Sequence, residues 1–244
     1  MNQGTTMGKI NYGVDAPNVI RYLIFFGILL IVLVLIFPVV KMGGAEVDTR
    51  GFIWSGLCCV VTGCLMLFYS LKGKYYHRDR MLGMINWEGD EQVLDVGTGL
   101  GLLMIGAAKK LTTGKSVGID VWNETDLSHN NQDNAMKNAT LEGVAAKVEV
   151  LNENAMKMSF ADETFDVVLS NLCIHNIYDK PGRLQACLEI DRVLKKGGTA
   201  VISDFRHIQE YKYNFTNMGL DTKIMGANYL MAFPPLNVLV VSKK

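Results

Sequence analysis

Residues 94–103 read LDVGTGLGLL, and they put a carboxylate two positions ahead of an alternating glycine series. Asp95 closes a short apolar run, and Gly97, Gly99 and Gly101 follow. Glycines let backbone approach a ligand in dihedrals that other residues resist. The spacing decides which ligand. A dinucleotide loop reads G-x-G-x-x-G, which would place its third glycine at 102, where this chain has Leu102. A carboxylate beside the loop disfavours phosphates and favours a ligand with a positively charged amino-acid part. Two further stretches could carry chemistry. GIDVW ends a second apolar run in Asp120, and SNLCIHNIYD (170–179) contains His175, a side chain of the type that serves as a general base.

Alternating strands and helices must position these residues. Strands are expected at 92–96, 116–120, 147–151, 165–170 and 199–204, with two more, an antiparallel pair, in LDTKIMG and LNVLVVSKK. Helices are expected at 101–111, 134–143 and 181–194, the last ended by Lys196-Gly197-Gly198 as a C-cap. Lys72 to Trp87 reads as one basic amphipathic helix. The fold class is α/β: a Rossmann-like, doubly wound sheet of seven strands with the last antiparallel. In such sheets ligands sit at the carboxyl ends of the strands, where the glycine loop lies.

The N-terminal third differs in kind. Tyr22–Val40 has no charge, and its 19 residues reach roughly 28 Å as a helix, about the thickness of bilayer hydrocarbon. Phe52–Leu71 is a second such run, closed by Lys72, Lys74, His77, Arg78 and Arg80. A transmembrane α-hairpin is expected, with the basic flank, both termini and the soluble part in the cytoplasm. In a bacterium the membrane would be the inner one. The domains are then 1–21 (cytoplasmic tail), 22–71 (hairpin) and 72–244. Ser55, Cys59 and Gly63 form a small-residue face for helix packing. The 24 basic and 24 acidic residues balance, which gives no basic field for nucleic acid. None of the five cysteines forms CxxC, so neither a metal ribbon nor a disulfide framework is expected, and no metal site is assigned.

VLDVGTGLGLL, GIDVW, FDVVLSN and RVLKKGGTAVISD, in this order, resemble the class I S-adenosylmethionine-dependent methyltransferases, in particular the branch that methylates quinones, lipids and metabolites. The likeness covers about residues 75–244. It implies S-adenosyl-L-methionine as cofactor. It implies that Asp95 and the backbone of Gly97, Thr98, Gly99 and Gly101 hold the methionine part, and that Asp120 accepts from both ribose hydroxyls. Val121 and Trp122 would flank the adenine. Asn154-Ala155 stands where the family has an acidic residue before a small one at the adenine edge, and Asn171 would lie near the transferring methyl. His175 is the candidate general base, with a loop-orienting role as the alternative. Asp95 as a helix cap and Asn154 as an Asx-turn residue also stay open. The implied acceptor is a small molecule, lipid- or quinone-like if the hairpin presents it. A non-catalytic module that binds the cofactor or a partner at the membrane, and a nicotinamide-dependent oxidoreductase, are the other readings. Sequence leaves the acceptor and the oligomeric state undefined.

Overall fold

The computed structural model describes residues 9–229 and 231–244; residues 1–8 of the expected tail lie outside them. The first helix, α1, is Pro17–Ile36. A two-stranded ribbon follows, β1 (Val39–Met42) and β2 (Ala45–Asp48), and then α2 (Phe52–Phe68). A π-helical turn, Tyr69–Gly73, joins α2 to α3 (Lys74–Leu82), so the helix is continuous from Phe52 to Leu82. The α/β part contains β3 (Gln92–Val96), α4 (Leu102–Ala108), β4 (Lys115–Asp120), α5 (Gln132–Leu141), β5 (Val148–Asn152) and β6 (Phe165–Asn171). It ends with α6 (Lys180–Val193), β7 (Leu194–Asp204), α7 (Ile208–Asn217), β8 (Asp221–Met225) and β9 (Asn237–Ser242).

Seven strands form one sheet in the order β5-β4-β3-β6-β7-β9-β8. The pairs from β5 to β7 are parallel, and β9 runs antiparallel to both β7 and β8. Side chains alternate across it as the pleat requires. Leu94, Val96, Val168, Ala200 and Ile202 pack with Ile190, Val193, Tyr211 and Phe215 of α6 and α7. Val93, Val167, Leu169 and Val201 pack with Met81, Leu82, Leu103 and Ala107 of α3 and α4. The strand order reverses between β3 and β6, and their carboxyl ends open the crevice.

Several local expectations change. The basic helix stops at Leu82, and Trp87 lies beyond it, its indole N–H donating to the Leu82 carbonyl at 2.9 Å. Lys196-Gly197-Gly198 does not cap α6. The helix ends at Val193, whose successor Leu194 is already extended, and the KKGG stretch runs inside β7. Helix α7 was not expected at all; its inward residues are Ile208, Tyr211, Asn214 and Phe215, a helical spacing in an otherwise polar stretch. The first apolar helix starts at Pro17 rather than 22, with Arg21 one turn inside it.

The apolar helices pack closely on each other through Cys59 and Gly63 of the expected face, but not through Ser55. Ser55 is exposed, and Gly56 is buried instead. A Cβ on Gly56 would come within 2.8 Å of the Gly27 carbonyl, and one on Gly63 within 2.7 Å of Ile24. Away from this seam Phe25, Phe26, Leu35, Trp54, Leu57 and Leu65 are exposed. Both helices are long and apolar enough to cross a membrane.

The hairpin is fused to the α/β part at the π-helical turn. Gly73 lies so close to the Met231 carbonyl that a Cβ would overlap it. Tyr69, Ala232 and Leu236 form a small buried cluster there, with Leu172 against it. Gly73→Ala is therefore expected to cost about 1–3 kcal/mol, the range for overpacking a tight contact. Gly226→Ala, where an added Cβ meets nothing within 4 Å, is the control and should be near neutral. Thermal unfolding of the detergent-solubilised chain measures both.

Candidate functional site

The site begins with a buried carboxylate. Asp95 is 1% exposed, and its Oδ2 accepts from the Thr98 hydroxyl at 2.8 Å and from the Met104 backbone N–H at 2.9 Å. It therefore ties the glycine loop to the first turn of α4, so a capping role is real. The loop backbone bends over the end of β4: the N–H groups of Gly97 and Thr98 both donate to the Ile119 carbonyl, at 2.8 and 2.9 Å. Gly97 has φ 75°, and a Cβ there would overlap Cys173 beyond β6. Gly101, at φ 86°, precedes the first residue of α4. Glycine is required at 97 by conformation and by space together.

Asp120 closes β4 and faces the same loop. Its Oδ2 accepts from Gly99 N–H at 2.8 Å, and its Oδ1 from Trp122 N–H at 2.7 Å and Asn130 Nδ2 at 3.3 Å. Oδ2 keeps one accepting site free, whereas Oδ1 already takes two donors, the longer of them from Asn130. The two carboxylates lie near enough to act on each other. Burial pushes the Asp95 carboxyl up to about 7, the bonds from Thr98 and Met104 oppose the rise, and the Asp120 charge adds to it.

These groups line one cavity of about 900 Å³. Val121, Asn154, Ala155, Asn171 and His175 border it as well. Trp122 does not: in left-handed backbone (φ 60°) it packs against the cluster of Leu100, Met104 and Ala135. Asn154 Oδ1 accepts from Met156 N–H at 2.9 Å, which is the Asx-turn geometry. Asn171 Oδ1 is buried without a partner.

His175 is locked by Asp204. Its Nδ1 lies 3.0 Å from Asp204 Oδ1, and its ring stands edge-on to Phe205 with centroids 4.7 Å apart. Asp204 is 1% exposed and also accepts from Phe205 N–H at 2.8 Å and the Tyr211 hydroxyl at 3.3 Å. A carboxylate at Nδ1 takes the N–H of that nitrogen and leaves Nε2 with its lone pair. Cys173 borders the cavity, but burial pushes its thiol far up, which removes the thiolate that thiol chemistry needs. His207 lies outside the cavity, 3.6 Å from Glu210.

Sequence reasoning missed the roof. Residues 9–16 lie across the domain as a strap. Asn11 exchanges backbone bonds with Asn138, its N–H donating to Oδ1 at 3.1 Å and its carbonyl accepting from Nδ2 at 2.8 Å. Asp15 pairs with Leu127 as an isolated bridge. Lys74, 4% exposed, donates to the carbonyls of Tyr12 and Gly13 at 2.6 and 2.7 Å and lies 3.5 Å from Asp15 Oδ2. Asn130, Tyr69, Phe233 and Pro234 also border the cavity. No spacing in the sequence announces these contacts, because each joins segments distant along the chain.

The donor set defines the ligand. Among the described residues the cavity is bordered by six carboxylates (Asp15, Asp95, Asp120, Asp126, Glu153, Asp179) and one lysine, which is paired with one of them. Asn130 Oδ1 and Asn171 Oδ1 are buried acceptors without partners, and both residues border the cavity. This suits a cation with amino and hydroxyl donors, as S-adenosylmethionine is. Among the described residues no group of three or more His, Cys, Asp or Glu side chains could hold a metal.

Comparison with known proteins agrees. A sequence model described as a methyltransferase domain matches residues 88–229. The chain is 34% identical over 133 residues to a demethylmenaquinone methyltransferase of Lactiplantibacillus plantarum, covering 54% of this chain and 52% of that one. It is 32% identical over 121 residues to one of Bacteroides fragilis, covering 48% and 46%. The chain thus spans about half the length of these curated relatives. A SAM-dependent methyltransferase of Aquifex aeolicus shares the fold, with a TM-score of 0.54, 20% identity, and 67% and 88% of the two chains covered. So does a [4+2]-cyclase, at TM-score 0.58 and 16% identity over 69% and 81%. The chain belongs to the class I methyltransferase-domain family of S-adenosylmethionine-dependent enzymes. Its cofactor is S-adenosylmethionine, as the glycine loop and Asp95 suggested.

The raised Asp95 carboxyl has a signature in stability. The unfolded value is 3.8 and the folded one about 7. The fold keeps a proton that the unfolded chain releases, so this group's stabilisation is complete below the unfolded value and is lost as pH rises through about 7. The ligand-free protein should lose stability over that window, and Asp95→Asn should lose less. Denaturant titrations at a series of pH values decide it; parallel curves for the two proteins would contradict the assignment.

Proposed function

We propose that this protein transfers a methyl group from S-adenosylmethionine to a small hydrophobic acceptor of the demethylmenaquinone kind, at a membrane that α1 and α2 cross with both termini cytoplasmic. The observation that carries this is the acidic cavity bordered by His175, which is paired with the buried Asp204. In this reading Asp95 and the backbone of Gly97, Thr98 and Gly99 hold the methionine part, with Asn171 close by. Asp120, helped by Asn130, holds the ribose. Val121, Asn154 and Ala155 enclose the adenine, while Trp122 supports the loop from beneath. The names of the curated relatives support the acceptor class, and the exposed apolar faces of α1 and α2 support the membrane.

The bound cofactor supplies an electrophilic methyl on a sulfonium. The chain's own part is alignment, exclusion of water and movement of one proton. His175 Nε2 takes the proton that the acceptor gives up as its ring carbon or oxygen is alkylated. Asp204 keeps Nδ1 protonated and stabilises the imidazolium that forms, as a buried carboxylate does for a catalytic histidine. The strap, with Phe233 and Pro234, covers the cavity.

His175→Gln should lower methyl transfer to demethylmenaquinone by roughly 10²–10⁴-fold, the usual worth of a general base. S-adenosylmethionine affinity should stay within about twofold. Labelled-methyl transfer in vesicles and calorimetric titration read the two quantities separately. Unchanged turnover would reduce His175 to a loop-orienting residue.

A further inference from the structure

The cavity does not end at the cofactor residues. Its far wall is the hairpin: Val19 of α1, Thr62 and Met66 of α2, and Tyr69 of the π-helical turn border the same space. Thr62 and Met66 are four residues apart, so they share one face of α2. The α2 residues at the cavity run from Thr62 to the π-helical turn, and Gly63 beside Thr62 packs on Ile20 and Ile24, so the cavity follows the hairpin along the first two turns of α1. Val19 borders the cavity and is 49% exposed. A wholly water-soluble acceptor has no use for such an extension, whereas a hydrocarbon tail fills it.

The other end of this extension is polar. The Tyr69 hydroxyl and Asn171 Oδ1 are both buried without hydrogen-bond partners, and both residues border the cavity. A buried donor without a partner is destabilising, and a ligand oxygen would relieve it. We propose that the membrane hairpin forms half of the acceptor site: an amphiphile comes in from the bilayer at Val19, its tail stays against Thr62 and Met66, and its polar head is held by the Tyr69 hydroxyl. This rests on the reading of the cavity as a methyl-transfer site, and it makes the hairpin part of the specificity machinery as well as an anchor.

The test uses the full chain in vesicles of phosphatidylethanolamine and phosphatidylglycerol. Two probes are compared: a farnesyl-tailed phenol with a diazirine on its ring, dissolved in the bilayer, and the same ring without the tail, added from water. The tailed probe should label the segment 171–176. Met66→Trp or Thr62→Trp, either of which fills the extension, should cut that labelling at least tenfold. Val32→Trp, on an exposed position of α1, should not. The tail-less ring should label wild type and filled variants alike, and S-adenosylmethionine affinity should be equal in all. Tyr69→Phe should raise the half-saturating concentration of the tailed probe about tenfold, the loss of one hydrogen bond. Labelling of 171–176 by the tailed probe that survives both filling variants, or is absent from wild type, overturns the proposal. Failure of wild type to bind S-adenosylmethionine while the labelling pattern holds would instead overturn the underlying methyl-transfer reading.

Discussion

The constraint on which the site depends is the burial of Asp95 between the glycine loop and α4. One carboxylate oxygen holds Thr98 and the amide of Met104. The loop must therefore turn back over β4, and it can do so only with glycine at 97, because Cys173 occupies the place of a side chain. Asp120 fixes the same loop from the other side through Gly99. Two acidic groups are thus held near each other, and Lys74, the one lysine at the cavity wall among the described residues, is already committed to the strap. Charge of this sign, held in a partly dry site, selects a cationic ligand more sharply than any single hydrogen bond could.

The second organising feature is the absence of a flexible linker. The helix that leaves the apolar hairpin changes to π geometry at Tyr69–Gly73 and continues as α3 into the α/β core. Such insertions cluster at functional sites because they re-aim side chains. Here the turn buries Tyr69 and Ser70 at the cavity and brings Lys74 under the strap. Ser70 Oγ accepts from the Asp15 amide at 3.1 Å, which ties the start of α1 to the end of α2. The α/β part and the hairpin share one wall.

The central strands were legible because a parallel sheet buried on both faces is encoded as short continuous apolar runs, such as VLDV and FDVVLS. The glycine loop was legible because its spacing differs from the dinucleotide pattern at one position, Leu102. Helix α7 escaped notice because its inward face is only Ile208, Tyr211, Asn214 and Phe215, one of them polar, and Gln, Glu and Lys between them mask the period. The KKGG stretch misled because glycine after a lysine-rich helix end is a good capping signal, yet the pairing of Val167 with Thr199 and of Phe165 with Leu194 draws that stretch into β7. Trp122 could not be placed by its neighbourhood to Asp120, since left-handed backbone at 122 turns the ring away. The strap at 9–16 and the loop bearing Phe233 and Pro234 act through long-range contacts that no local pattern carries.

The most direct test of the account is calorimetric titration of the full chain, reconstituted in lipid nanodiscs, with S-adenosylmethionine and separately with NAD. The acidic cavity predicts that the sulfonium ligand binds, that Asp120→Ala abolishes the binding, and that NAD gives no heat. Binding of NAD, or S-adenosylmethionine binding indifferent to Asp120, would contradict it.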